Sequence, residues 1–470
     1  MAEALQYASP RGRWVIAATV LGSGMAMLDA TVVGIALPTV GRNFGVGLSS
    51  LQWVSNGYTL ALAGLLLAGG ALGDRYGRRR MFSIGVAWFA VASLLCAIAP
   101  SAPALIAARV LQGVGGALLT PGSLAILQAS FAPGERSKAI GAWSGLGGVA
   151  GALGPFLGGY LIASVSWRLI FVINLPLAAA VLLIAARHVP ESRDPRAPGR
   201  LDLLGAALAA GGLAGLTYGL TDGPAGGWTS VSAVVPLLAG LALLGAFVGV
   251  ERHSAAPMLP LSVFRSAQFS AANLVTFVVY GALSGGLFLL PVHLQQVAGY
   301  SPLEAGAALL PITFLMLILS SRSGALAARI GPRLQMATGP FVVGAGMILL
   351  TRIGPSGSYV TQVLPAVLLV GAGLTVTVAP LTSTALSAAP MELAGVASAV
   401  NNDVARVAGL LAVAVLPPVA GLTGRSYLDP AVFAHGFRIA VVIAGLFCAA
   451  GGLVAAALIR NPKPAAVAAS

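Results

Sequence analysis

The sequence predicts an all-α integral membrane protein with fourteen transmembrane helices, and three observations carry that prediction. Apolar residues make up 57% of the 470 residues and charged residues only 8%, against ~25% charged in soluble domains. Mean hydropathy is +0.92 over the whole length. The chain also breaks into charge-poor runs of the length that crosses a bilayer. A soluble surface cannot be built from this composition, and a disordered chain, a coiled coil and a disulfide scaffold are excluded with it. The 61 Gly and 29 Pro suit membrane helices, which tolerate both.

Each span is justified in turn by ~20 mostly apolar residues, enough to cover ~30 Å of hydrocarbon as a helix with its backbone groups paired internally. The runs lie near residues 14–37, 52–72, 82–99, 103–130, 138–163, 167–186 and 203–221. They continue at 231–250, 269–291, 303–321, 334–351, 361–380, 393–418 and 436–459. The first run follows Arg11 and Arg13 but is too long for a signal peptide and holds Asp29 inside it. It is read as span 1.

Fourteen spans place both termini on one side, and the distribution of basic residues says which. Of 26 Lys and Arg, nineteen fall in the loops on the side of the termini, Arg322 among them. Five fall on the other side (Arg42, Arg168, Arg352, Arg425, Arg438), and Arg109 and Arg406 lie within spans. By the positive-inside rule both termini are cytoplasmic. The net charge of +13 is then a topology signal, and no nucleic-acid partner is expected. Trp53, Trp167 and Trp228 are expected at the outer interface. Cys96 and Cys448 sit far apart inside apolar runs, and the four histidines are isolated from one another. Neither a disulfide, a metal site nor a cofactor is expected.

A loop recurs. GALGDRYGRR, from Gly70 to Arg79, is matched in register by GALAARIGPR, from Gly324 to Arg333. Arg75 aligns with Arg329 and Gly77 with Gly331, while Asp74 aligns with Ala328. Two six-span halves follow, separated by a hairpin of two spans. The expected domains are 1–200, a six-helix bundle with its cytoplasmic linker, 201–264, the two-helix insert, and 265–470, the second bundle. The stretch 187–200 is expected to be a charged linker and 464–470 a frayed tail.

In the first loop Gly73, Asp74, Arg75, Gly77 and Arg78 put an acid and basic groups on a tight turn, a charge latch that a rocking motion breaks and remakes. Arg329 and Gly331 are its counterparts in the second half. Residues Gly73 to Arg80 resemble the signature loop of the major facilitator superfamily. Leu28 to Pro38 (LDATVVGIALP) is similar to the span 1 signature of its fourteen-span drug:proton antiporters, with Gly34 where Asn is usual. Arg109 to Gly116 (RVLQGVGG) resembles the span 4 motif linked with proton transfer. Gly151 to Gly159 (GALGPFLGG) resembles the span 5 antiporter motif, with Gly151, Gly154, Pro155, Gly158 and Gly159. The resemblance implies the major facilitator fold and proton-driven efflux of drugs or antibiotics. The second loop lacks the Asp, which argues against a symmetrical latch.

The residues also carry an argument of their own. A carboxylate inside a span costs ~2.5 to 3.5 kcal/mol on insertion scales, so it is paired or at work on an ion pathway. Asp29 lies nine residues before Pro38, ~13 Å below the outer end of span 1, and Arg109 six residues after Pro103, ~9 Å below that of span 4. Both are expected to face a shared cavity, with Arg109 tuning the proton affinity of Asp29. Asp403, ~15 Å into span 13, is a second candidate, with Arg406 at i+3 able to neutralise it. Asn56, Tyr58, Gln112, Tyr280, Asn401 and Asn402 are candidate cavity residues, though each could equally bond a neighbouring helix. Gly147 to Gly151 and Gly154 to Gly158 allow close helix packing, and Pro155 bends span 5. Asp202, Glu191 and Glu251 are expected to be solvated at the cytoplasmic side.

The sequence therefore points to export of a hydrophobic or cationic small molecule in exchange for protons by a monomer. Arg outnumbers Lys by 24 to 2, which points to a high-GC bacterial genome, and the expected location is the bacterial inner membrane. A lipid or metabolite exporter and a substrate:proton symporter are alternatives on the same scaffold. A membrane-embedded enzyme would need clustered His, Asp or Glu, and a sensor a soluble domain; the sequence shows neither.

Overall fold

The computed structural model describes residues 5–194, 202–254, 257–355, 357–389 and 393–461. Residues 195–200 of the linker and the tail 464–470 lie outside them. The first bundle holds seven helical segments: α1 (Pro10–Phe44), α2 (Leu48–Tyr76), α3 (Arg78–Ala97), α4 (Ala102–Ser130), α5 (Arg136–Ser164), α6 (Leu169–Val172) and α7 (Asn174–His188). Then come α8 (Leu203–Gly226) and α9 (Val231–His253). The second bundle holds α10 (Ala267–Gln296), α11 (Pro302–Ala307), α12 (Leu310–Ile330), α13 (Pro332–Leu349), α14 (Leu364–Ser387), α15 (Ala394–Val419) and α16 (Pro430–Leu458). With α6 and α7, and α11 and α12, each forming one span, fourteen helices are long and apolar enough to cross a membrane. The fourteen-span expectation holds.

Local chemistry sets the helix ends. Ser9, with Pro10 behind it, accepts the Gly12 N–H at 3.1 Å and starts α1. Ser301 and Glu304 form a reciprocal capping box on α11. Gly77 at φ 114° and Gly331 at φ 84° make the sharp corners that separate α2 from α3 and α12 from α13, a backbone region that favours glycine. These are the same positions of the repeated loop. The helices overshoot the apolar runs, since α12 and α16 continue past them. Arg322 therefore lies inside α12, eight residues before its end, and Arg438 inside α16, eight after its start, not in the loops assigned above. Trp167 is likewise buried beneath the Arg168 guanidinium, 4.4 Å from its ring, and is no part of an interfacial belt.

Among the described residues the bundles meet chiefly at one end. On the face away from the termini a single apolar core runs through both, joining Val33, Leu37 and Leu51 to Leu289, Val292 and Phe433. On the terminal face the cores are separate: one around Phe82, Phe89 and Phe131, the other around Val263, Phe269 and Val400. Cross-bundle hydrogen bonds follow the same division, with Gln52 donating to Val413 O at 2.6 Å and Gln295 to Ile35 O at 2.9 Å. Along α5, a Cβ at Gly159 would strike the Leu303 backbone at 2.7 Å, whereas one at Gly141, Gly145 or Gly148 would meet nothing within 4 Å. The molecule is closed on the opposite face and open toward the termini.

The closure has its own fastening, in a loop that carries no sequence motif. Tyr427 is fully buried; its hydroxyl donates to Val46 O at 2.7 Å. Beside it Arg425 donates to Gly45 O at 2.6 Å, and Gly424 O accepts the Leu48 N–H at 2.7 Å. The loop before α16 thus sits on the α1–α2 turn. Tyr427→Phe removes one hydrogen bond worth about 1 kcal/mol, shifting the equilibrium about fivefold toward opening on that face. The check is a matching rise in labelling of Leu51→Cys by an impermeant thiol reagent, in a background lacking Cys96 and Cys448.

Candidate functional site

Asp29 and Arg109 come together, as their depths suggested. The guanidinium Nη1 of Arg109 on α4 is ion-paired with Asp29 Oδ2 on α1, and each residue is 1% exposed. Arg109 Nε donates to Val54 O of α2 at 3.0 Å, and its Cζ lies 4.5 Å from the centre of the Tyr58 ring. One turn along α4, Gln112 accepts from Arg109 Nη1 at 2.6 Å and donates to Asp29 Oδ1 at 2.8 Å and Ser93 Oγ at 2.9 Å. Asn174 at the start of α7 donates to Ser93 Oγ at 3.3 Å and to Asp29 Oδ1 at 3.5 Å. Charges at this depth persist only when paired and hydrogen-bonded, and both conditions are met.

Two sequence expectations need correction here. Asp29 and Arg109 do not face a shared cavity in this state; each is 1% exposed, and their hydrogen-bond partners lie on α1, α2, α4 and α7. Gln112 and Tyr58 belong to that enclosed network and line no open cavity in this state. Sequence reasoning missed Ser93 and Asn174, which are neutral residues in otherwise apolar runs; a lone amide in a span was the available signal. The Oδ1 atom of Asn174 is buried without a hydrogen-bond partner, an acceptor left over beside the carboxylate.

The second candidate is arranged differently. Asp403 and Arg406 form no ion pair, although both sit on α15. Asp403 Oδ1 and Arg406 Nε are each buried without a hydrogen-bond partner. Asn401 bridges to α10, donating to Asn273 Oδ1 at 3.1 Å and Thr276 Oγ1 at 3.0 Å, while Asn402 is exposed and bonds its own helix at Ser398 O. Asn56 donates to Leu410 O of α15 at 3.3 Å, a bond between bundles. Tyr280 packs half-buried against the large core.

In the repeated loop, Asp74 Oδ1 takes Arg78 Nη2 at 2.7 Å and Nε at 2.8 Å across the Gly77 corner. Glu191, exposed as expected, also accepts the Arg79 and Arg80 N–H groups at 3.0 and 3.1 Å, placing a carboxylate on the positive end of α3. Asn461 does the same for the second half, accepting the Arg333 N–H at 3.0 Å. The register of the repeat is therefore preserved, with a charged cap in one half and a neutral one in the other. Arg329 is exposed and has no ion pair among the described residues. Of the span 5 glycines, a Cβ at Gly151 would meet the Met27 side chain at 3.7 Å, Gly154 and Gly158 face Thr31 and Val32 of α1, and Gly159 and Pro155 abut α11. Asp202 caps α8 through Gly205 N–H at 2.7 Å, and Glu251 is 3% exposed and accepts from Leu259 N–H at 3.0 Å. Neither is the solvated acid the sequence suggested.

Residues 19–413 match the Major Facilitator Superfamily. The chain is 37% identical over 409 residues to a tetracenomycin C resistance and export protein of Streptomyces glaucescens, covering 86% of this chain and 76% of the other. It is 37% identical over 459 residues to a puromycin resistance protein of Streptomyces alboniger, covering 94% and 90%. A cephamycin export protein of Amycolatopsis lactamdurans is 36% identical, with 94% and 92% covered. Among solved structures, a POT family transporter in complex with a thioalcohol-conjugated peptide superposes with a TM-score of 0.71 at 12% identity, over 95% of this chain and 96% of that one. An inward-facing bacterial homologue of the lysosomal transporter Spinster gives a TM-score of 0.68 at 15% identity, over 97% and 100%. These last two speak to the fold alone.

Proposed function

Because the chain belongs to the Major Facilitator Superfamily and is a multi-pass membrane protein, we propose that it exports a hydrophobic or cationic compound from a bacterial cell in exchange for protons. The observation that carries this reading is the enclosed Asp29–Arg109–Gln112–Asn174 network. A carboxylate surrounded by groups that can both donate and accept is suited to a change of protonation. Ionised, Asp29 takes hydrogen bonds from Arg109, Gln112 and Asn174. Protonated, it needs an acceptor, and rotation of the Asn174 amide brings the unpartnered Oδ1 round to that place.

In this reading the termini are cytoplasmic, the protein lies in the inner membrane as a monomer, and the open face is the one that loads cargo. A proton entering from outside neutralises Asp29, competes with bound cargo and favours return to the state seen here. Asp403, unpaired on α15, is the second titrating or cation-sensing group. The domains are 1–200, 201–264 and 265–470, with the Asp74–Arg78 and Glu191 contacts as the latch of the first. The relatives support cargo of the antibiotic class, being named for tetracenomycin C and puromycin resistance and cephamycin export.

The test is a resistance panel in a pump-deficient bacterial strain, comparing cationic dyes, neutral antibiotics and fatty acids. Expression is expected to raise the inhibitory concentration of hydrophobic antibiotics severalfold, and collapse of the proton gradient to remove the gain. Protection against fatty acids alone contradicts the proposal.

A further inference from the structure

Where the insert returns to the second bundle, the structure holds a cleft of about 590 Å³ whose lining includes no residue of the Asp29 network. It opens at the terminal-face ends of α9 and of the short 3-10 turn Leu261–Arg265. Arg252, in the last turn of α9, and Arg265, closing the 3-10 turn, both line it and are both exposed. Neither has an ion-pair partner among the described residues. Ser254 and Ser262 add hydroxyls, and Val248 and Phe264 give the wall an apolar part. Glu251, the one acid in the lining, does not neutralise them: it is 3% exposed and its Oε2 is taken by the Leu259 N–H.

Two guanidinium groups against one buried carboxylate leave the lining of the cleft with a net positive charge that an anion would balance. The fork geometry of Arg suits the paired oxygens of a phosphodiester. The level in the membrane is that of lipid headgroups, since α9 ends there, and basic clefts between helices on the cytoplasmic side take anionic headgroups. An apolar wall beside the two cations suits the first part of an acyl chain. We infer that this cleft binds the phosphodiester headgroup of an anionic phospholipid, which ties the insert to the second bundle.

The experiment is thermal unfolding of the purified full-length protein in micelles containing phosphatidylglycerol, phosphatidylcholine or inorganic phosphate, with native mass spectrometry of retained lipid. Phosphatidylglycerol is expected to raise the wild-type midpoint by several degrees over phosphatidylcholine, and inorganic phosphate to leave it unchanged. The Arg252→Gln/Arg265→Gln variant loses that gain and retains one lipid fewer, while Arg13→Gln, changed on an exposed arginine of the first bundle, keeps both. Equal gain and equal lipid retention in the double variant overturn the inference. So does an equal midpoint rise with inorganic phosphate, which would assign the cleft to a free anion. Either result leaves the proton-coupling proposal untouched, because no residue of the Asp29 network is altered.

Discussion

Asp29→Asn is expected to abolish uphill export while cargo still exchanges down its gradient. The amide keeps the shape of the carboxyl and part of its hydrogen bonding to Gln112 and Asn174, but it leaves the buried Arg109 without a counter-charge, so the variant is expected to fold with reduced stability. What it removes is the carboxylate to which the proposed function assigns the exchanged proton. For a neutral cargo exchanged with one proton, each 100 mV of membrane potential supplies about 2.3 kcal/mol, which sustains a gradient of about 50-fold. That factor should vanish in energised inverted vesicles carrying the variant, whereas counterflow of preloaded cargo persists. A variant that still concentrates cargo in proportion to the potential contradicts the assignment.

Arg109→Gln is expected to have the largest effect on stability. It strips a fully enclosed carboxylate of its cation, and breaking a buried pair on one side costs about 3 to 5 kcal/mol. The Nε bond to Val54 O and the stacking on Tyr58 go with it. The unfolding midpoint in detergent should fall steeply, and the double variant Asp29→Asn/Arg109→Gln should recover much of the loss, because no charge is then left unpaired. Arg109→Lys should fall between, keeping the charge but not the fork that reaches Asp29, Gln112 and Val54 together. If the single and double variants are equally unstable, the two side chains are not energetically coupled and the pair is incidental.

The spans were legible because lipid imposes a length of apolar sequence, and the repeat because two corners need glycine at the same register, Gly77 and Gly331. The pairing of Asp29 with Arg109 was legible from depth alone. Depth says nothing of which side of a helix a residue occupies, so whether the pair faced a cavity or the interior of one bundle was not readable. Ser93 and Asn174 were hidden for a related reason: a neutral residue in an apolar run has no mark until its neighbours on other helices are known. Glu191 lies among arginines, reads as solvated charge and is exposed, but its bonds to the backbone N–H groups of Arg79 and Arg80 leave no trace in sequence. The helices also overran their apolar runs, since charged residues such as Arg322 and Arg438 are compatible with continued helix. Tyr427 reaches Val46 across 381 positions, beyond any local pattern.

The most direct measurement is the proton count on adding cargo to the purified protein in weakly buffered detergent. The wild type is predicted to release protons in proportion to cargo bound, and Asp29→Asn to lose the proton contributed by that carboxyl, releasing fewer per cargo while still binding. Asp403→Asn separates a second titrating group, leaving at least one proton per cargo. Undiminished proton release from the Asp29→Asn protein would contradict the account at its centre.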